Sequence, residues 1–388
     1  MAENLITRIL INPWQRVIND SRSVGIILFA GSAVSMVLAN TDISDAYLGF
    51  WNQAFHLPGY LHLPHALLHW INDGLMAVFF FLVGMEIKRE LLAGELSSVK
   101  KSLLPIFAAV GGMIAPAVIY LLFNKATNYE HGWGIPMATD IAFSLGVASM
   151  LGKKMPSALK IFLMALAIID DLGAILVIAF FYGSAVQWIY LLIGIAITIV
   201  LISLPKLKIS FGWWNYVLGI LLWYCMYNSG VHATIAGVIF AFTIPLSQLE
   251  KMQHSLHVPV NFIILPIFAI ANTAIVIPDN ITHAFTSTLS YGIILGLMLG
   301  KPLGIVLACR MLVRLKWGEL PAGVNWRQLT GVGILAGIGF TMSVFIAMLA
   351  FNEPAIQDMA KVGVLAGSVL SMVIGYMWLR FTSAEKRS

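Results

Sequence analysis

Residues 163–181 read LMALAIIDDLGAILVIAFF, an apolar run interrupted by two adjacent acids, Asp170 and Asp171. A helix that crosses the hydrocarbon core of a bilayer needs about 20 predominantly apolar residues. This run and its flanks supply them. The two acids fall near its middle, where ionisable side chains are costly and mark function by default. The fold follows from how often the same kind of run recurs, and the chemistry from which charges recur with it.

The whole chain resembles this stretch. Of its 388 residues 59% are hydrophobic and 11% charged, against about 25% charged in a soluble domain, and the mean hydropathy is +0.88. Such a chain cannot cover its apolar surface with polar groups, which excludes a soluble fold, and it is too apolar for disorder. The net charge of +5 is scattered through short loops, which argues against nucleic-acid binding. The two cysteines, Cys225 and Cys309, lie in apolar runs and suggest no disulfide framework. The first 22 residues lack the apolar core and small-residue cleavage site of a signal peptide.

Windows of spanning length fall at roughly 24–40, 66–87, 102–123, 133–151, 158–183, 186–204, 212–228, 231–247, 259–277, 290–313, 328–350 and 361–380. The expected fold is therefore an all-α polytopic membrane protein of twelve transmembrane helices. A barrel would show short alternating strands instead. The chain reads as one transmembrane domain over 1–388, its helices within 24–380. Between the windows, alternate loops differ sharply in charge. One set holds Arg8, Arg16, Arg22, Lys88, Arg89, Lys100, Lys101, Lys153, Lys154, Lys160, Lys206, Lys208, Lys251, Arg310, Arg314, Lys316, Arg327, Arg380, Lys386 and Arg387; the other holds only Lys125 and Lys361. The positive side is cytoplasmic, which places both termini, 1–23 and 381–388, in the cytoplasm. The longest loop, 41–65, is then extracytoplasmic, and 248–258 is a short polar loop.

The remaining basic residue, Lys301 in LMLGKPLGI, lies within a span and needs a counter-charge, for which Asp170 or Asp171 is available. Adjacent helical residues point about 100° apart, so the two acids diverge: one can face a cavity while the other meets a neighbouring helix. A packing contact needs one acid, not two. Carboxylates in this setting can exchange protons near neutral pH, and their oxygens are hard ligands suited to a hard cation. Asp140 follows Thr139 in GIPMATDIAFSLG, where Gly134 and Pro136 free backbone groups at membrane depth. TGVGILAGIGFTMSVF carries glycines at 331, 333, 337 and 339. Spans 3–5 and 10–12 are two sets of three in opposite orientation, each with an interrupted middle member. That pattern reads as inverted repeats with discontinuous helices 4 and 11.

Weaker features have two readings each. Glu86, Arg89 and Glu90 in MEIKREL fit a solvated helix end or a cytoplasmic charge cluster that senses pH. His62, His65 and His69 approximate helical spacing and fit an interfacial belt or a metal site. His232 in SGVHAT reads as a packing histidine, and Asp73 as a lining or capping group.

These segments also carry a family resemblance. WINDGLMAVFFFLVGMEIKREL, FAAVGGMIAPA, IPMATDIAFSLG, ALKIFLMALAIIDDLGAI, SGVHATIAGV, GKPLGI and GIGFTMS, in that order from about residue 67 to 343, resemble the NhaA-type sodium/proton antiporters. That family is itself an instance of the inverted-repeat architecture, so the two readings are not independent. The resemblance implies electrogenic, pH-regulated export of Na+ or Li+ in exchange for incoming protons, a secondary transporter rather than an enzyme, with no cofactor. It implies Na+ at Asp171 and Asp170, with Asp171 the principal carboxylate and Asp170 paired to Lys301. Asp140, beside Thr139, would neutralise the facing positive ends of the broken helices. Glu86, Arg89, Glu90, His232, Lys251 and His254 would belong to pH sensing, and the chain would form a homodimer in a bacterial inner membrane. Gln253 stands where the family pattern has an acid, and the loop 41–65 departs from that pattern.

Other classes fit less well. A membrane aspartyl protease needs its two acids on facing helices and a GxGD signature, which is absent. A channel does not explain Lys301 beside the acids, a scaffold does not explain the buried charges, and a carrier of organic substrates calls for a roomier polar cavity.

Overall fold

A computed structural model describes residues 20–56, 58–59, 62–277 and 285–382. Among them the chain forms fourteen helices and no extended sheet; Ala54 and Ala66 make an isolated antiparallel bridge. In order the helices are α1 (Ser21–Leu38), α2 (Ser44–Trp51), α3 (Leu67–Ala93), α4 (Val99–Asn124), α5 (Ile141–Met150), α6 (Ser157–Phe181) and α7 (Trp188–Lys206). They continue as α8 (Trp213–Asn228), α9 (Thr234–Thr243), α10 (Leu246–Asn272), α11 (Thr288–Arg314), α12 (Trp326–Ala336), α13 (Phe340–Ala350) and α14 (Pro354–Thr382).

Seven of these are long and apolar enough to cross a membrane, and α12 with α13 forms an eighth candidate, bent by 47°. Helices α1 and α9 are apolar but shorter. Four of the twelve expected windows hold no helix of spanning length: the fourth is interrupted, which leaves pieces below the length a bilayer demands, and the first, seventh and eighth form the shorter helices α1, α8 and α9. Around the fourth window, Glu130–Met137 forms 3-10 turns, residues 138–140 are extended, and α5 follows. Around the eleventh, residues 337–339 separate α12 from α13.

Three local expectations need correction. The stretch 248–258 is not a loop. It is helical and continuous with the apolar part of α10, with Leu249, Met252 and Gln253 buried and Glu250, Lys251 and His254 exposed. An amphipathic helix carries on past the membrane edge where hydropathy alone stops. The loop 41–65 contains α2. His62 and His65 are not helical, and His62 has φ +41°; among the described residues no group of three His, Cys, Asp or Glu side chains is placed to hold a metal ion. Most of both termini, with Arg8, Arg16, Lys386 and Arg387, lies outside the described residues.

Between helices in lipid the hydrophobic effect offers little, so small residues that let backbones approach supply the packing. Helices α4 and α11 meet at Gly111 and Gly304: a Cβ on Gly111 would lie 2.4 Å from Gly304 O. Helices α3 and α9 meet likewise at Gly237, where a Cβ would lie 2.1 Å from Ala77 O. Helix α6 packs on α4, α5 and α12, and α11 packs on α4 and α12, which brings the two and the interruptions together at the centre.

Candidate ion-binding site

The first interruption is set by its own residues. Pro136 has no N–H to continue a helix, and Asp140 is a strong N-cap residue. Its φ of −80° and ψ of 104° are extended, and its Oδ1 accepts from Phe143 N at 2.9 Å. The second interruption has Gly337 and Gly339 around Ile338 and brings no cap of its own. It borrows one. Asp140 Oδ2 accepts from Thr341 N at 3.2 Å and from the Thr341 hydroxyl, and Asp140 N donates to Ile338 O at 2.7 Å. One buried carboxylate thus serves the N-terminal ends of both α5 and α13, where unpaired amides and the helix dipoles favour negative charge. Phe340 N donates to Ser368 Oγ of α14 at 3.0 Å.

On α6 the two acids diverge as helical geometry requires. Asp170 turns to Lys301 of α11, with which it forms a fully buried ion pair, and to Thr139. The Thr139 hydroxyl accepts from Lys301 Nζ at 2.9 Å; its own proton reaches Asp170 Oδ2 at 2.6 Å or Ala336 O, at the C-terminal end of α12, at 2.8 Å. Lys301 therefore does not reach for the interface: it has no exposed surface. Asp171 turns the other way, into a cavity of about 150 Å³ that also touches Asp140, Thr341, Glu86, His257 and Asn261. Its Oδ1 is buried without a hydrogen-bond partner, as is Asp170 Oδ1. Asp170, Asp140 and Glu86 place like charge around Asp171, with Lys301 opposing.

The other sequence candidates divide. Glu86 lines the Asp171 cavity. One helical turn on, Arg89 donates to Gln253 Oε1 at 3.1 Å and pairs with Glu90 at 3.2 Å. Lys251 and His254 are exposed on α10, and neither is bonded into that cluster. His232 lies apart, between α8 and α9, where its Nε2 is 2.6 Å from Tyr182 O. Asp73 sits in a π-turn of α3, and its carbonyl accepts from Trp223 Nε1 at 2.9 Å. Sequence reasoning passed over Thr341, Ser368, His257 and Asn261. Thr341 had a signal, a hydroxyl two residues beyond the glycine break and hence in the first turn of the next helix. The others had none, because single polar residues are common in apolar windows.

Phe345 packs against Phe80 and Phe268, with ring centroids 5.6 and 6.1 Å apart, and Met76 and Ile175 join the same buried cluster.

Residues 15–379 match the Na+/H+ antiporter 1 family. Among curated relatives, an Na(+)/H(+) antiporter NhaA from Cytophaga hutchinsonii is 46% identical over 97% of each chain. NhaA 2 from Flavobacterium johnsoniae is 48% identical over 95% of this chain and 92% of its own length, and NhaA from Shewanella frigidimarina is 48% identical over 92% and 93%. The chain is accordingly a multi-pass membrane protein, a transporter rather than an enzyme, and it belongs to the NhaA family of Na+/H+ antiporters.

Proposed function

We propose that the chain exports Na+ or Li+ and admits protons in exchange, by alternating access at Asp171 and Asp170. The observation that carries this reading is the unpartnered buried Oδ1 of Asp171 at the head of a small cavity that holds further hard oxygen ligands. A carboxylate there takes a proton or a cation but not both, so competition couples the two fluxes. At about 150 Å³ the cavity suits a bare or partly hydrated cation and is small beside the roughly 300–1,000 Å³ of organic-ligand pockets. A cation that engages both acids must take Asp170 from Lys301 and Thr139.

The open cavity is the cytoplasmic side of the cycle, and the Phe80–Phe268–Phe345 cluster is the outward barrier that must part in the other state. In this reading the whole chain is one domain of twelve spans. The two interruptions are the discontinuous fourth and eleventh, related by inverted repeats (spans 3–5 and 10–12), and both termini face the cytoplasm of a bacterial inner membrane. Transport is electrogenic, with more protons than cations moved per cycle, and the chain acts as a homodimer. Glu86, Arg89, Glu90 and His232 tune the pH response, Lys251 and His254 from the exposed face of α10.

The test is proton movement in proteoliposomes with an imposed pH gradient, using wild type and Asp171→Asn side by side. Na+ and Li+, but not K+, collapse the gradient in wild type and leave it intact in the variant. Full exchange in Asp171→Asn would show that the site is elsewhere.

A further inference from the structure

The lead-in to the first interruption, Glu130–Met137, is built of 3-10 turns, whose hydrogen bonding is poorer than that of an α-helix. At membrane depth the groups left over must be satisfied by the protein itself. Three helices supply hydroxyls. Tyr120 of α4 donates to Tyr129 O at 2.6 Å, and Ser343 of α13 donates to Ile135 O at 2.7 Å. Tyr182, at the C-terminal cap of α6, does two things at once: its hydroxyl donates to His131 O at 2.8 Å and accepts from Gly134 N at 3.0 Å. The fit is close. A Cβ on Gly134 would lie 2.6 Å from that oxygen, and Trp133 stacks on the ring with centroids 6.4 Å apart.

Tyr182 differs from the other two in what it joins. It ends the helix that carries Asp170 and Asp171, about three turns further along. It grips the segment that runs directly into Thr139 and Asp140. Its own carbonyl accepts from His232 Nε2 at 2.6 Å; a carbonyl only accepts, so that ring nitrogen carries the proton. One residue therefore ties the carboxylate helix, the broken segment and the α8–α9 connection.

We propose that Tyr182 is a positioning residue of the ion site. It fixes the lead-in of the first interruption to the carboxylate helix, so that Thr139 stays in register with Asp170 and Lys301 as the site changes sides, and His232 acts on the site through the Tyr182 carbonyl. The inference rests on the exchange reading above. Tyr120 is its internal control: its hydroxyl donates to the carbonyl of Tyr129 at the start of the same segment, but from α4, which carries none of the site residues.

The experiment compares Na+-dependent proton movement by wild type, Tyr182→Phe and Tyr120→Phe in proteoliposomes, with thermal unfolding of each. Losing a buried hydrogen bond of this kind is worth about tenfold in an equilibrium. Tyr182→Phe raises the half-saturating Na+ concentration by about that factor, with the maximal rate little changed. Tyr120→Phe lowers thermal stability and leaves half-saturation alone. Gly134→Ala, which presses on the same hydroxyl from the segment side, gives the Tyr182→Phe shift and serves if that variant does not fold. His232→Ala reproduces the shift and His232→Gln, whose amide can donate to the same carbonyl, restores the wild-type value. The double variant His232→Ala/Tyr182→Phe moves no further than either single. Equal shifts for the two tyrosines, a Tyr182→Phe effect confined to stability, or additive shifts with His232→Ala would overturn the proposal. A wild type that moves no protons with Na+ would overturn the exchange reading beneath it, an outcome distinguishable because no signal would then exist to be split.

Discussion

The two interruptions at the centre of the molecule do the same job with opposite materials. The first, at 138–140, carries its own cap: Asp140 is extended and its carboxylate takes an amide from the first turn of α5. The second, at 337–339, is made by the absence of side chains at Gly337 and Gly339, and its following helix is capped from elsewhere, by Asp140 and by Ser368. Asymmetric construction has a consequence. The second interruption can be re-aimed by whatever moves Asp140, whereas the first cannot be moved without moving Asp140 itself. A single carboxylate makes the two broken helices one unit.

The largest effect that breaks this comparison is Asp140→Ala. It leaves two backbone amides and the Thr341 hydroxyl without their buried acceptor, each costing about 1–3 kcal/mol. Exchange is abolished and the unfolding temperature in detergent falls steeply. Asp140→Asn sharpens the result: its one oxygen can still accept at one interruption while its NH2 faces a backbone donor at the other, so only part of the stability returns and exchange stays low. If Asp140→Ala unfolded like wild type, the shared cap would be wrong.

Gly337→Ala comes next. A Cβ there would lie 2.3 Å from Leu297 O and 2.7 Å from Ser371 Oγ, and such overpacking costs about 1–3 kcal/mol. Exchange assays should report a severe loss, and an unimpaired variant would show that the break has room to spare. Thr341→Val removes the hydroxyl from Asp140 at near-constant shape, with an expected cost of about 1–2 kcal/mol in thermal unfolding; no cost would mean that the backbone amide alone holds Asp140 there. Ser368→Ala is the smallest, about 1 kcal/mol as for the loss of a helix cap, because Asp140 remains. A loss as large as that of Asp140→Ala would transfer the principal cap to α14.

Much of the centre was legible in the sequence because charge in an apolar run is rare. Asp140, Asp170, Asp171 and Lys301 stood out for that reason, and helical geometry alone sent the adjacent acids in different directions. The residues alone narrowed the partner of Lys301 to two acids, the family resemblance named Asp170, and the contact between α6 and α11 places that pair together. Of the hydroxyls around the site, that of Thr341 had a signal in its place just past the glycine break, whereas those of Ser343, Ser368 and Tyr182 were not legible, because Ser, Thr and Tyr occur throughout membrane helices and only a neighbouring interruption gives them work. The polar helix at 246–258 was missed because hydropathy reports where lipid ends, not where a helix ends. Lys251 and His254, which the resemblance assigned to pH sensing, are exposed on that helix, whereas Gln253 accepts from Arg89 and His257 lines the cavity.

The most direct test of the central claim, that Asp171 is the carboxylate left free for the ion while Asp170 is held by Lys301 and Thr139, is proton release on adding Na+ to the purified protein in weakly buffered detergent. Wild type should release protons in a saturable, Na+-dependent manner, and Asp171→Asn should release none while unfolding at nearly the wild-type temperature. Undiminished release from a folded Asp171→Asn would contradict the account and move the exchanging carboxylate elsewhere.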